Sequence, residues 1–428
     1  MTSKVLLTIT VSILLFSCNK DNDDESPQIE VSQPNNLSSY NIYDNIIVKA
    51  EISDNKNIEK VSIELLNSNL QRELSKEFSN INENTYSLSD GFYLDDIRLE
   101  SGNYFIKVKA FDGVNESSDF TEIYIQSVPK ELLNLVLFNE TGAVTYASLV
   151  DVSNNVESNL FSWNSDLTDA EVDSYNQRII LGGKQEKDVS IYDMVENTID
   201  WNLNFGVSNY DYVNDIFIDD ANSFYATLGN SELRKFNYLG VNQLIANSGT
   251  GNRDFNVFVD SDYIYCFSKS NSGLSKSFRK YYNSTGILET SINTTLDNVQ
   301  IINGPNDKLL VVGENSGNAE LNLLDKNDLS YWSPHSLPNE SLVKLVQVSE
   351  GNYILALSGG LYIYQYNNNS LFTGPSVSVT DMELDKVNNR LYVLESNQII
   401  VYDASLNLLQ TIGLSSSGYD KIRLHYNK

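Results

Sequence analysis

The 428-residue chain carries 57 acidic against 29 basic side chains, a formal charge of −28, and is 41% apolar with 26 Tyr and 17 Phe. That charge opposes phosphate backbones and anionic headgroups, whose capture needs clustered Lys and Arg, and so excludes a nucleic-acid binder. The apolar content suffices for two or more cored domains and argues against wholesale disorder.

Lys4 precedes an apolar run from Val5 to Phe16. These twelve residues fall short of the roughly 20 needed to span a bilayer, so 1–17 reads as a cleaved signal peptide. Leu15, Ser17 and Cys18 resemble the lipobox of bacterial lipoprotein precursors, with Phe16 a less usual neighbour. The resemblance implies a mature chain beginning at Cys18 with diacylglycerol on its thiol, each buried CH₂ contributing about 0.8 kcal/mol. An ordinary signal peptide with a chance cysteine is the alternative.

Residues 18–27 form an acidic tether ending at Ser26 and Pro27. Its segment Asn19-Lys20-Asp21-Asn22-Asp23-Asp24-Glu25 is similar to the Lys-plus-acidic tags that route lipoproteins to the cell surface in Bacteroidota. A plain solvated tether is the other reading.

Residues 28–128 are all β in pattern. Ile46 to Ile52 and Val61 to Leu65 alternate as half-buried strands, and Asn103 to Phe111 continues the alternation into a turn at Asp112-Gly113 before Phe120 to Ile125. Short alternating strands over this length predict a β-sandwich. The Tyr104 to Asp112 stretch resembles the penultimate strand of immunoglobulin-like and fibronectin-type modules, which implies a spacer or adhesion module. No cysteine pair is present, so a fibronectin-like core is preferred over an antibody-type one. Pro129 marks the linker.

From 131 to 428 one unit recurs: an inner apolar strand, a turn, a strand rich in Leu, Tyr and Val, then two further strands. Val213 to Asp219, Phe255 to Asp260 and Val379 to Asp385 are clear copies of the first strand. Aligning these strands puts Glu171, Asp215, Asn256, Gln300, Leu345, Asp381 and Lys421 at equivalent positions, with spacings of 44, 41, 44, 45, 36 and 40. Such a period signals a β-propeller, whose sheets bury both faces only when neighbours stack on them. Tyr419 to Tyr426 holds an inner strand with nothing after it, while the unit from Leu135 to Trp163 lacks one. The expectation is therefore an all-β chain: a β-sandwich followed by a seven-bladed β-propeller whose first blade the C-terminal strand completes, removing exposed edges. Val401 to Ile412 looks like the repeat of YVTN/YncE-type seven-bladed propellers, echoed at Ile191-Tyr192-Asp193 and Leu323-Leu324-Asp325. Gly-His and Trp-Asp marks of WD40 repeats are absent.

Six of the seven aligned residues are polar, Leu345 being the exception, so Glu171, Asp215, Asn256, Gln300, Asp381 and Lys421 form a candidate ligand ring in the central channel. The alternative is that they cap turns or face channel water. Trp163, Trp201 and Trp332 fall near the last strands of their units, which puts them at the rim; interblade packing is their commoner role, stacking on sugars the other. Cys266 sits in a strand-like run and reads as a small buried hydrophobe. No metal or cofactor is expected: His335 and His425 are isolated, and neither Asp219-Asp220 nor Asp21 to Glu25 has the loop spacing of a calcium motif. Sialidase Asp boxes and Gly-rich phosphate loops are missing.

The resemblance implies a lipid-anchored outer-membrane protein facing the extracellular side, whose propeller binds a nutrient, glycan or protein without catalysis and feeds a TonB-dependent transporter. A structural or adhesive scaffold is the second reading, and a propeller hydrolase or lyase the third.

Overall fold

The computed structural model describes residues 25–184, 189–203 and 212–428. Cys18, the signal segment and most of the tether lie outside the described residues. The chain divides into two compact units, Met1–Pro129 and Lys130–Lys428. All regular structure among the described residues is β-strand, and no helix there is long and apolar enough to cross a membrane.

The first unit is built on a hairpin of two 22-residue strands, Asn45–Leu66 and Arg72–Tyr93. Along its first half Asn45–Leu66 pairs with Gln28–Gln33, and along its second with Gly102–Phe111. Glu116–Gln126 continues the sheet, and Ser38–Asn41 joins it in parallel. Strict alternation explains the core: Ile46, Val48, Ala50 and Ile52 point inward while Asn45, Lys49 and Glu51 face water. These side chains meet Val61, Ile63, Ile106 and Val108 in one cluster. The Tyr104 hydroxyl donates to the Glu100 carbonyl at 3.0 Å, bracing the approach to its strand.

The second unit consists of four-stranded antiparallel sheets, seven among the described residues. Six are made of consecutive strands and begin with Leu167–Asp173, Val213–Ile218, Asn252–Val259, Asp297–Asn303, Leu342–Ser349 and Asp381–Asp385. The remaining sheet begins with Tyr419–Tyr426, which pairs with Leu132–Thr141 from the start of the unit, followed by Val144–Asp151 and Val156–Trp163. Each of these first strands neighbours the next, and Tyr419–Tyr426 neighbours both Asp381–Asp385 and Leu167–Asp173. The ring therefore closes, giving a β-propeller, and these strands are its first to seventh inner strands in chain order.

The cores lie between sheets. Val312 and Leu323 of one sheet pack on Tyr353 and Leu355 of the next, and Ile180 and Ile191 pack on Phe224 and Phe236. Trp201 meets Phe236 edge-on at 5.6 Å, and its ring covers Gly240, where a Cβ would lie 2.5 Å from an indole carbon. Trp163 is fully buried and Trp332 is half exposed. Full burial of an aromatic such as Phe224 or Phe236 contributes about 1.5–3 kcal/mol, so the stack of sheets, rather than any single one, is the stable unit.

Candidate functional site

The inner strands enclose a cavity of about 610 Å³ that takes side chains from every one of them. Glu171, Asp215, Asn256, Gln300, Leu345, Asp381 and Lys421 all line it. None of the three tryptophans does.

Backbone hydrogen bonds between neighbouring strands fix which residues are equivalent. Ile216 N–H donates to Asp169 Oδ2 at 3.0 Å, Val257 N–H to Asp215 Oδ2 at 2.9 Å, Leu345 N–H to Gln300 Oε1 at 2.7 Å, and Ile422 N–H to Asp381 Oδ2 at 3.1 Å. In each bond the ring side chain accepts from the N–H of the residue after the next ring position. The ring is accordingly Asp169, Asp215, Asn256, Gln300, Lys344, Asp381 and Lys421. Two expectations are corrected. Lys344 takes the place of Leu345, which turns its side chain into an intersheet core, so all seven positions are polar. Asp169 takes the place of Glu171, which lies two residues further along the strand in a second tier.

A β-bulge recurs at the ring level. Six inner strands shift register against their partners at this level, at Leu167/Asp169, Val213/Asp215, Phe255/Val257, Asp297/Gln300, Leu342/Lys344 and Tyr419/Lys421. An extra residue re-aims the side chains beside it. Asn256 and Asn298 take up the bend with φ of 48° and 46°, a region Asn tolerates better than most residues.

The second tier comprises Glu171, Phe217, Phe258, Ile302, Val346, Glu383 and Arg423, all in the cavity lining. It is charged on one side and apolar on the other. Arg423, almost wholly buried, joins both tiers: its guanidinium lies 2.8 Å from Asp381 Oδ2, 2.9 Å from Glu171 Oε1, 3.1 Å from Asp169 Oδ1 and 3.3 Å from Glu383 Oε1. Lys421 reaches Asp169 at 3.1 Å, and Lys344 reaches Asp381 and Glu383 at 3.5 and 3.6 Å. Asp215 makes no ion pair among the described residues.

These partners divide the carboxylates. Burial would raise Asp169, but Lys421 and Arg423 outweigh it and hold the group at about 2. Asp381 is likewise lowered, by Lys344 and Arg423 against burial. Burial dominates at Glu171, which rises to about 7 despite Arg423, and it raises Glu383 as well. At Asp215 burial, reinforced by the negative charge of Asp169, raises the group to about 8. The cavity thus combines two fixed carboxylates with three that exchange protons.

No group of three or more His, Cys, Asp or Glu among the described residues is arranged to hold a metal ion. Among the described residues, the cavity lining contains no histidine, cysteine or serine. Cys266 is fully buried in an intersheet core, where burial pushes its thiol well above the usual range. His425 is buried beside Gln177, 2.8 Å from Oε1, with its pKa lowered by burial.

Asp169, Lys344, Glu383 and Arg423 were missed from sequence. A usable signal existed for Asp169 and Glu383: Asp173, Asp219, Asp260 and Asp385 begin the turn that follows an inner strand, and each lies four residues after its ring position, whereas Val348 and His425 stand at that place in the strands of Lys344 and Arg423. Asp173 and Asp385 mark that turn in the same way, each accepting from an Asn three residues on, Asn176 and Asn388.

No family model matches the chain, and no curated protein matches it. Among solved structures it is similar to a quinonprotein alcohol dehydrogenase-like protein from Bacteroides thetaiotaomicron, at 13% identity over 94% of this chain and 99% of that one, with a TM-score of 0.46. It is also similar to the Cps50 (Swd1) β-propeller domain of Myceliophteria thermophila, at 10% identity over 65% of this chain and 96% of that one, TM-score 0.44. A DUF4784 family protein from Bacteroides caccae aligns at 12% identity over 82% and 96%, TM-score 0.39. At these identities the likeness concerns fold alone.

Proposed function

We propose that the chain is a surface lipoprotein, anchored through Cys18, in which an immunoglobulin- or fibronectin-like module carries a seven-bladed propeller that binds a small ligand in its central cavity without turning it over. The observation that carries the binding reading is the ring itself. All seven inner strands present a hydrogen-bonding side chain to one cavity, and four of those side chains are locked by the backbone of the next strand. Preorganised polar groups around a cavity of this volume suit ligand capture. The Tyr104 to Glu100 bond supports the module assignment, because a tyrosine hydroxyl bonded to backbone a few residues upstream typifies such sandwiches. Delivery to an outer-membrane transporter is the role that fits a lipid-anchored binder.

The reading is tested by a thermal-shift screen of the full chain, purified in detergent, against glycans, corrinoids, amines and calcium. A hit whose shift vanishes in Lys344→Met or Asp215→Asn supports it; silence across the screen, or a shift unchanged in both variants, sinks it. Palmitate labelling that survives Cys18→Ala would remove the anchor.

A further inference from the structure

We infer, resting on the cavity-binding reading above, that the ligand is a small organic cation with an apolar body, its ammonium group meeting Asp215 and its body lying on Phe217 and Phe258. Charge is the first ground. The two tiers hold five carboxylates, Asp169, Glu171, Asp215, Asp381 and Glu383, against three cations, Lys344, Lys421 and Arg423, and the two other charged residues of the lining, Asp420 and Lys386, cancel in the count. All three cations are paired with other carboxylates, each within 3.6 Å of one. Asp215 keeps one backbone hydrogen bond, from Val257 at 2.9 Å, and no cation among the described residues.

The second ground is the wall beside it. Phe217 is two residues from Asp215 on the same strand, so both side chains leave the same face about 7 Å apart. Phe258, from the neighbouring strand, meets Phe217 edge-on with ring centroids 6.5 Å apart. Aromatic faces attract cations through their quadrupole, and Phe258 already accepts one, with Lys326 Nζ 5.4 Å from its centroid. Ile302 and Val346 continue the wall. An apolar surface next to an unpaired carboxylate repels a bare anion, leaves a sugar's hydroxyls unmatched and cannot ligate a metal. It matches an alkyl- or arylammonium.

Proton exchange gives the assignment a second readout. Asp215 titrates at about 8, raised by burial and then by Asp169; Glu171 beside Asp169 adds to the rise, Lys421 opposes it, and the third inner strand faces it with uncharged Asn256. A cation favours the ionised form, so binding expels the proton and strengthens as pH rises toward 8.

The test is calorimetric titration of the full chain in detergent with phenethylammonium, 2-phenylethanol and phenylacetate, three probes of one shape and different charge. The ammonium should bind about tenfold or more tighter than the alcohol, and the carboxylate weakest. Affinity for the ammonium should rise between pH 6 and 8, and Asp215→Asn should abolish both the preference and the rise while its melting temperature at pH 7 is held or increased. Phe217→Leu should cost about threefold to tenfold in affinity. Equal or stronger binding of the alcohol or the carboxylate overturns the cation assignment and leaves cavity binding standing. Binding by none of the three also overturns it, and the wider screen then decides separately whether the cavity binds anything.

Discussion

Arg423 Nε lies 2.9 Å from Glu171 Oε1, joining the seventh inner strand to the first across the point where the ring closes. The same guanidinium holds Asp381 and Glu383 of the sixth strand on its other side. One residue therefore bridges both neighbours of the closing strand, and its planar fork suits several carboxylates at once in a way that a single ammonium does not.

Arg423→Met leaves four carboxylates facing one another with only Lys344 and Lys421 to compensate. Breaking a buried ionic cluster in this way costs about 3–5 kcal/mol. The expected result is a melting temperature lowered by several degrees at pH 7, with part of the loss recovered at pH 5, where Glu171 takes up a proton. A melting temperature equal to that of the native chain at both pH values would show that the cluster adds nothing to closure.

Asp215 titrates at about 8 in the folded chain against an ordinary value of 3.8. A group raised on folding stabilises fully below its unfolded pKa, and that contribution is lost as pH climbs through the folded value. Stability should therefore decline between about pH 4 and pH 8 on account of Asp215. Asp215→Asn, uncharged throughout, flattens that decline and melts higher than the native chain at pH 8, as calorimetric scans across the range would record. Parallel curves for the two proteins would contradict the assignment.

Gln300 acts at both ends of its amide, accepting from Leu345 N–H at 2.7 Å and donating to the Val343 carbonyl at 3.0 Å. Gln300→Leu leaves both backbone groups without that partner and should cost about 1–3 kcal/mol. Chemical denaturation at pH 7 measures it. Gln300→Glu keeps the acceptor alone and should fall between the two.

Gly240 adopts φ +78° beneath the Trp201 ring. Gly240→Ala meets a backbone that L residues rarely adopt and an indole with no room to retreat, for a loss of about 2–3 kcal/mol. Tryptophan fluorescence should shift with it, since Trp201 is the ring displaced. An unchanged spectrum and midpoint would mean the turn can slide away from the indole.

The repeat was legible because inner strands must alternate and stack at a nearly constant period, and the hydrophobic pattern of Val213 to Ile218 or Asp381 to Asp385 records that directly. Six of the ring and tier residues could be named for the same reason. Lys344 and Asp169 could not: Asp169 is marked only by Asp173 four residues on, which looks like an ordinary loop residue, and Val348 stands at the matching place after Lys344. Arg423 was hidden for another reason. Its partners Glu171 and Asp381 are 252 and 42 residues away, and no local pattern links charges brought together only when the ring closes.

The pairing of Tyr419–Tyr426 with Leu132–Thr141 also sets a schedule. A chain made from its N-terminus produces every other inner strand before the one that seals the ring, so Lys421 and Arg423 arrive last, into a half-built cavity where Asp169, Glu171, Asp381 and Glu383 have only Lys344 for company. A chain cut short before residue 419 therefore lacks the strand that brings Lys421 and Arg423 into the cavity and seals the ring.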